Sequence, residues 1–194
     1  MTMETHMKGI IFNLFEQQVE ADGGGAAWDE LLDAADLEGG YSAIGDYPSA
    51  ELTDLTAARS RQTGCDDQEV LRSFGHSALT GLAEQFPVFF TPHVHTRDFL
   101  LTLNDVIHPQ VRKLHAAARP PEFDFTVVGE NQLRIVYRSG RQLCSMAEGM
   151  IAGAATYFGE TAQITHEQCV RSGATQCVLH CTFHERAHVA VANS

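Results

Sequence analysis

Apolar residues in the first half of the chain recur every three or four positions, which places them along one side of an α-helix. In the first such run, Ile11, Phe15 and Val19 follow this spacing, and Gly23-Gly24-Gly25 ends the helix. The same reasoning predicts four helices, at about 10–22, 27–37, 48–61 and 68–86. Residues 1–6 carry no such pattern and are expected to form a disordered extension.

The stretch from Arg97 to Leu114 also has a helical pattern, but we expect it to be interrupted. Asp105 can cap a fresh helix start, and Pro109 is tolerated only in the first turn of a helix. These two residues place His108 near a helix N-terminus. Pro120-Pro121 then prevents the helix from continuing, because proline restricts the preceding residue to extended conformations.

From Phe125 onward the period changes to two, which is typical of β-strands. A turn at Gly129-Glu130-Asn131 separates two such stretches and predicts a β-hairpin that ends near Tyr137. A helix at 142–158 and two strands at 164–166 and 177–183 complete the prediction. Helices followed by an antiparallel sheet that carries one long helix indicate an α+β fold.

The composition favours one soluble domain with a protein or small-molecule partner. The 194 residues suffice for one well-buried domain and are few for two. The net charge is −12 and the 13 Lys and Arg residues are scattered, which argues against nucleic acid or an anionic membrane as partner. The chain also lacks a membrane-spanning run and a secretory signal, so we expect a cytoplasmic protein.

Three hydrogen-bond donors alternate at the end of the predicted hairpin. Tyr137, Ser139 and Arg141 are spaced two residues apart, so an extended backbone places them on one face. A phenol, a hydroxyl and a guanidinium on one face can hold carboxylates, and arginine can do so with two parallel hydrogen bonds. The alternative is an ordinary polar edge strand.

The residues that follow His108 in the sequence make it a candidate metal ligand. A single histidine near a helix start is more often a core or surface residue than a ligand. Here it precedes a rigid Pro120-Pro121 turn and the carboxylate-binding face in one largely apolar chain. Heme requires an axial donor for its iron, an apolar slot and donors for its two propionates, so the combination predicts a heme site.

With these residues, the chain resembles the heme-nitric oxide/oxygen binding (H-NOX) family over nearly its whole length. The opening Met7-Lys8-Gly9-Ile10-Ile11-Phe12-Asn13 is similar to the family's start, and His108 and Pro121 match its proximal histidine and the proline that presses on the porphyrin. Tyr137, Ser139 and Arg141 match its Y-x-S-x-R propionate motif. The resemblance implies heme b within one domain at 7–190, with a distal helical subdomain at about 7–66 and a proximal subdomain at about 67–190.

The resemblance also assigns residues to the heme pocket, although each of them could equally be ordinary core. They are Ile11, Phe15, Phe74, Pro121, Met146 and Met150. Family members that hold oxygen stably carry a tyrosine at the position matched by Met146, and Tyr157 lies about three turns further along. The resemblance therefore implies selectivity for nitric oxide over oxygen, with carbon monoxide as a further ligand of the ferrous iron.

The family's mechanism is mechanical rather than enzymatic. Nitric oxide weakens or breaks the bond between iron and His108, the porphyrin relaxes against Pro121, and the helical part shifts relative to the sheet. We find no nucleophile–base pair or nucleotide fingerprint that would indicate an enzyme. Because the fold uses the full length, the resemblance implies signalling to a separate effector such as a histidine kinase or a cyclic-di-nucleotide enzyme.

A second group of residues has the chemistry of a metal site. Cys144, His166, Cys169 and Cys177 would supply three thiolates and an imidazole, a set that suits structural zinc. They could also be unconnected small residues, and Cys181 could replace Cys177. The set resembles the Cys-His-Cys-Cys zinc site of a bacterial H-NOX subset, in which the cluster is associated with thiol oxidation, so a redox-sensing role is implied.

Two other functions compete with the heme sensor. A catalytic zinc usually keeps three protein ligands and a nearby base, and Glu148 and Glu167 stand in no motif of that kind. The remaining alternative is a heme-free zinc-thiolate redox or small-molecule-binding module of vinyl-reductase-like type.

Overall fold

A computed structural model of the chain describes residues 6–114 and 119–186. The helices are α1 (Gly9–Gly23), α2 (Ala27–Ala35), α3 (Ser49–Thr63), α4 (Asp67–Gln85), α5 (Thr96–Leu101), α6 (His108–Leu114) and α7 (Cys144–Tyr157). The strands are β1 (His6–Lys8), β2 (Asp46–Pro48), β3 (Glu122–Gly129), β4 (Gln132–Arg138), β5 (Glu160–Gln168) and β6 (Cys177–Glu185). The predicted α+β class is confirmed, and no helix in the described ranges is long and apolar enough to cross a membrane.

The first four helices pack around an apolar N-terminal cluster. Its buried members include Phe12, Phe15, Trp28, Leu52, Phe74 and Met146. The start of α4 illustrates how the sequence sets these elements, because the Asp66 carboxylate accepts hydrogen bonds from the backbone N–H groups of Gln68 and Glu69 at 2.7 and 2.9 Å. His6 belongs to β1 and pairs with Pro48, so the expected extension does not include it; residues 1–5 lie outside the described ranges.

The second half forms a four-stranded antiparallel sheet in the order β3-β4-β6-β5. The predicted hairpin is confirmed as β3 and β4, and all four strands are longer than the apolar pattern indicated. One face of the sheet buries a C-terminal cluster that includes Phe99, Phe123, Ile135, Tyr137, Ile151 and Leu179. Strand register places Phe123, Tyr137 and Cys177 side by side across β3, β4 and β6.

Helix α7 lies between the two clusters and packs closely against α4. A Cβ atom at Gly149 would overlap the carbonyl oxygen of Arg72, and one at Gly75 would overlap that of Met146. The two glycines therefore allow the helix backbones to touch. As a result Met150 on α7 contacts both the N-terminal and the C-terminal clusters.

The segment before the sheet differs from its prediction. Asp105 does not cap a new helix, because Leu103–Ile107 continues from α5 as a π-helix. The backbone N–H of Ile107 donates to the carbonyl of Thr102, five residues earlier, at 3.2 Å. His108 is the first residue of α6 and Pro109 lies in its first turn, as expected.

Candidate functional site

The His108 side chain is half-buried against the sheet. Its ring stacks on that of Phe123, with centroids 5.9 Å apart and planes at 29°. Burial lowers the pKa of His108 to about 4, and the nearby Arg112 charge acts in the same direction. The imidazole is therefore neutral at pH 7 and keeps the lone pair that a metal ion needs.

The predicted carboxylate-binding residues lie together at the end of β4. Tyr137 is buried, and the Ser139 hydroxyl oxygen accepts a hydrogen bond from the Arg141 backbone N–H at 3.3 Å. The Arg141 guanidinium donates to the backbone carbonyls of His6, at 3.0 Å, and of Arg119. The structure thus brings the three residues to one place and adds the first strand to their surroundings.

The Arg141 guanidinium has no carboxylate partner within the part of the chain that the structure describes. None of the ion pairs among residues 6–114 and 119–186 includes Arg141. Burial lowers the pKa of its guanidinium, and the nearby Tyr137 acts in the opposite direction. A half-buried cation whose partners among the described residues are backbone carbonyls can gain a charge-assisted hydrogen bond from a carboxylate ligand.

The residues expected to line a heme pocket fall into two groups. Phe15 and Phe74 are in contact, with ring centroids 4.7 Å apart, and Met146 shares their N-terminal cluster, against which Ile11 packs. Pro121 is partly buried and lies one residue before β3, on the chain segment that approaches His108. Together with Met150, which contacts both clusters, these side chains supply an apolar environment.

Two residues of this region were missed by sequence reasoning. The Asn104 side chain donates a hydrogen bond from Nδ2 to the backbone carbonyl of Phe123 at 2.5 Å. The Phe123 ring contacts both His108 and Tyr137. In the sequence, the spacing of two residues between Phe123 and Phe125 indicates the buried face of a strand, but it indicates no function.

Three of the four predicted zinc ligands lie together. The Sγ atoms of Cys144, Cys169 and Cys177 are all within 4.8 Å of one another. The Cys144–Cys169 distance is 3.8 Å and the Cys169–Cys177 distance is 4.0 Å. Thiolates around a tetrahedral zinc, with Zn–S bonds of ~2.3 Å, lie ~3.8 Å apart, so these thiols have suitable spacing.

The fourth candidate, His166, lies outside that group. Its Nε2 atom is 3.2 Å from a carboxylate oxygen of Glu148 on α7. Histidine ligands of metals commonly hold a carboxylate through one ring nitrogen and the metal through the other, so this contact leaves Nδ1 available. Cys181 is buried in the C-terminal cluster and Cys65 is exposed, and neither joins the three thiols.

The three thiols differ in their acidity. Burial raises the pKa of Cys144 to about 12, and the other two thiols act in the same direction. Burial also raises the pKa of Cys177. For Cys169, hydrogen bonds from the backbone of Arg171 and from the neighbouring thiols outweigh burial and lower its pKa. A divalent cation would offset the cost of ionising all three.

Comparisons with known proteins agree with this geometry. The family described as haem-NO-binding matches residues 8–166. An H-NOX protein from S. oneidensis, solved in the Fe(II)NO state, is 31% identical, with a TM-score of 0.86 over 92% of this chain and 100% of that chain. The Fe(II)CO form of an H-NOX domain from Shewanella oneidensis is also 31% identical, with a TM-score of 0.83 over 92% of this chain and 99% of that one.

An unliganded Fe(II) H-NOX protein from K. algicida, at 24% identity and a TM-score of 0.83, covers 94% of this chain and 99% of that one and shows the same fold. Among curated protein sequences, none matches the chain significantly.

Proposed function

Since this chain belongs to the haem-NO-binding (H-NOX) family, whose members are heme-based gas sensors, we propose that it binds heme b and senses nitric oxide. His108 would hold the iron, and Tyr137, Ser139 and Arg141 would hold the propionates. When bound, heme supplies a ferrous iron that takes diatomic gases. The members of the family are sensors rather than enzymes, and we assign no turnover to this chain.

One observation carries the heme assignment: a neutral imidazole, and a guanidinium with no carboxylate partner in the described ranges, lie at the two ends of one group of neighbouring side chains. His108 contacts Phe123, Phe123 contacts Tyr137, and Arg141 follows Tyr137 at the end of β4. An axial donor and an anion-binding group connected through apolar rings are what an iron porphyrin with propionates requires.

The positions of the tyrosines support selectivity for nitric oxide over oxygen. The chain has four tyrosines. The Tyr41 hydroxyl donates to a carboxylate 2.8 Å away, and the Tyr47 hydroxyl accepts from a backbone N–H at 2.6 Å. Tyr157 is 41% exposed at the end of α7, and Tyr137 lies in the sheet. Met146 therefore occupies an apolar cluster whose two tyrosines, Tyr41 within it and Tyr47 packed against it, are both hydrogen-bonded to other groups.

A zinc ion in the thiol group is the second part of the proposal. Cys144, Cys169 and Cys177 would bind it as thiolates, and His166 would complete the tetrahedron. The sulfur spacing supports this assignment, and a bound zinc would make the chain a member of the zinc-containing subset of the family. Oxidation of two of the thiolates to a disulfide by a two-electron oxidant such as hydrogen peroxide would remove two zinc ligands and release the metal, which would give the site a redox-sensing role.

We further propose that the response is read by a separate effector protein, such as a histidine kinase or a cyclic-di-nucleotide enzyme. The strongly acidic balance of the chain, 25 acidic against 13 basic residues, suits a partner with a basic surface.

An absorption spectrum of the purified ferrous protein tests the function directly. We expect a Soret band, a spectral change on adding nitric oxide or carbon monoxide, and no stable oxygen complex in air. A stable oxygen complex would contradict the selectivity, and a colourless protein after heme loading would favour the heme-free zinc-thiolate module. In His108→Gly, an unchanged spectrum would contradict the assignment of the iron ligand.

A further inference from the structure

The Phe123 side chain stands between the two groups that would hold a heme. Its ring centroid is 5.9 Å from that of His108 and 5.4 Å from that of Tyr137. Phe123 is also the direct partner of Tyr137 in the β3–β4 register. A change in the direction of either neighbouring ring must therefore be accommodated by Phe123.

The backbone of Phe123 is fastened to the same helical segment that its ring touches. Asn104, in the π-helix four residues before His108, donates a hydrogen bond to the Phe123 carbonyl at 2.5 Å. Strand β3 is thus attached to the His108 segment at two points, one polar and one aromatic. Two attachments resist both sliding and rotation, whereas one would leave the segment free to pivot.

Burial restricts the ring further. Phe123 is 9% exposed and belongs to the C-terminal cluster, so its ring cannot turn away without opening a gap in that cluster. Its rotamer is consequently set by the core, and it can transmit a displacement from one neighbour to the other.

We propose that Phe123 is a positioning residue that fixes the direction of the His108 imidazole and couples it to the Tyr137 hydroxyl. The inference rests on the proposed heme function. It assigns to Phe123 the coupling between the axial and the propionate contacts, so that a change at one of them alters the other.

Phe125 provides a matched control. It follows Phe123 by two residues on the same strand face, is partly buried, and stacks on the Phe123 ring at 5.6 Å. Its ring makes no contact with His108 or Tyr137 among the described residues. Phe123→Leu and Phe125→Leu therefore remove the same group from the same strand, and only the first removes the link.

The first measurement is the iron–histidine stretching band in the resonance Raman spectrum of the ferrous full-length protein. We expect this band to shift in Phe123→Leu and to keep its wild-type position in Phe125→Leu. A merely structural role would lower the melting temperature of both variants without moving the band. The same band position in Phe123→Leu and the wild type would overturn the proposal.

The second measurement is a double-mutant cycle on the rate of heme loss, with Tyr137→Phe as the partner change. We expect the effects of Phe123→Leu and Tyr137→Phe to depart from a simple product by about 2- to 30-fold, and those of Phe125→Leu and Tyr137→Phe to multiply. Simple multiplication in both cycles would contradict the coupling.

Asn104→Ala keeps the ring but removes its backbone anchor. If Phe123→Leu does not fold, Asn104→Ala tests the proposal in its place. We expect its iron–histidine stretching band to shift in the direction expected for Phe123→Leu, but by a smaller amount. An unshifted band in Asn104→Ala would then overturn the proposal. Absence of heme in the wild type itself would instead refute the proposed function, so the two failures are distinguishable.

Discussion

At the scale of single residues, the site combines two polar side chains, those of His108 and Arg141, which are partly removed from water. Burial keeps the His108 imidazole neutral and holds its pKa at about 4. The half-buried Arg141 guanidinium donates to two backbone carbonyls, and no carboxylate among the described residues pairs with it. A metal ion would stabilise the neutral imidazole by accepting its lone pair, and a carboxylate would stabilise the guanidinium through charge-assisted hydrogen bonds.

Removing the Arg141 charge should therefore weaken the retention of heme. A charge-assisted hydrogen bond contributes about 1.5–3 kcal/mol, so we expect Arg141→Ala to lose heme roughly 10- to 100-fold faster. Transfer of heme to an excess of an apo-globin measures this rate. Arg138→Ala is the control, because Arg138 lies three residues before Arg141, at the end of β4, but pairs with Asp124 at 2.6 Å on the surface. Equal rates for the two variants would argue against a propionate at Arg141.

The thiol group makes a separate prediction at this scale. Purified protein should carry about one zinc ion per chain, and Cys144→Ser should lose it because three ligands hold zinc less tightly than four. Cys65→Ser is the matched control, since Cys65 is exposed and lies outside the thiol group. Elemental analysis by mass spectrometry checks both. Zinc at the wild-type level in Cys144→Ser would remove Cys144 from the ligand set.

At the scale of elements, α7 connects the parts of the molecule. Its first residue, Cys144, belongs to the thiol group, Met146 belongs to the N-terminal cluster and Ile151 to the C-terminal cluster. Its glycine-lined contact with α4 sets the distance between the two helices. A shift of α7 along α4 would consequently move Cys144 in the thiol group and the candidate heme-pocket residues Met146 and Met150 at the same time.

Gly149→Ala tests that contact. Alanine favours a helix over glycine by about 0.5–1 kcal/mol, but here its Cβ would overlap the Arg72 carbonyl, and overpacking costs about 1–3 kcal/mol. We expect net destabilisation, with a melting temperature lower by about 2–4 °C per kcal/mol in a chain of this size. Gly25→Ala, where a Cβ would meet nothing within 4 Å, should melt close to the wild type. A more stable Gly149→Ala would show that the helices can separate freely.

At the scale of the whole molecule, two apolar clusters share α4 and α7. Leu82 on α4 and Met150 on α7 each contact both clusters. These two side chains thus pack in both clusters at once, and we expect the chain to unfold as one cooperative unit despite its two apolar clusters. The neighbouring positions of Phe123, Tyr137 and Cys177 across the sheet also bring the proposed propionate-binding residue Tyr137 next to the thiol group.

The only tryptophan, Trp28, reports on this cooperativity from the N-terminal cluster. Leu179→Ala removes a fully buried side chain from the C-terminal cluster and should cost about 2–5 kcal/mol. If the molecule is one unit, the urea midpoint of Trp28 fluorescence should fall with that of the far-UV circular dichroism. Val128→Ala, at a 56% exposed position, should leave both midpoints unchanged. A Trp28 midpoint unaffected by Leu179→Ala would indicate two independent domains.

The sequence by itself determined the features that depend on neighbouring residues. The three-four spacing predicted α1 to α4, and the alternation after Phe125 predicted the hairpin. Tyr137, Ser139 and Arg141 lie close together because they are within five residues of one another, although β4 ends at Arg138 and Arg141 lies in the turn that follows. These are local consequences of backbone geometry and solvent exclusion. They sufficed for the α+β class and for the family resemblance.

Only the tertiary structure decided what depends on packing between distant segments. No local signal distinguishes the π-helix before His108 from an ordinary helix, because its register depends on contacts with the sheet. Likewise, Cys144 approaches Cys169 and Cys177 only because α7 packs against β5 and β6, and the same packing pairs His166 with Glu148. Phe123 acquires its two ring contacts in this way too. Close packing of side chains far apart in sequence is a property of the whole core, which no short stretch encodes.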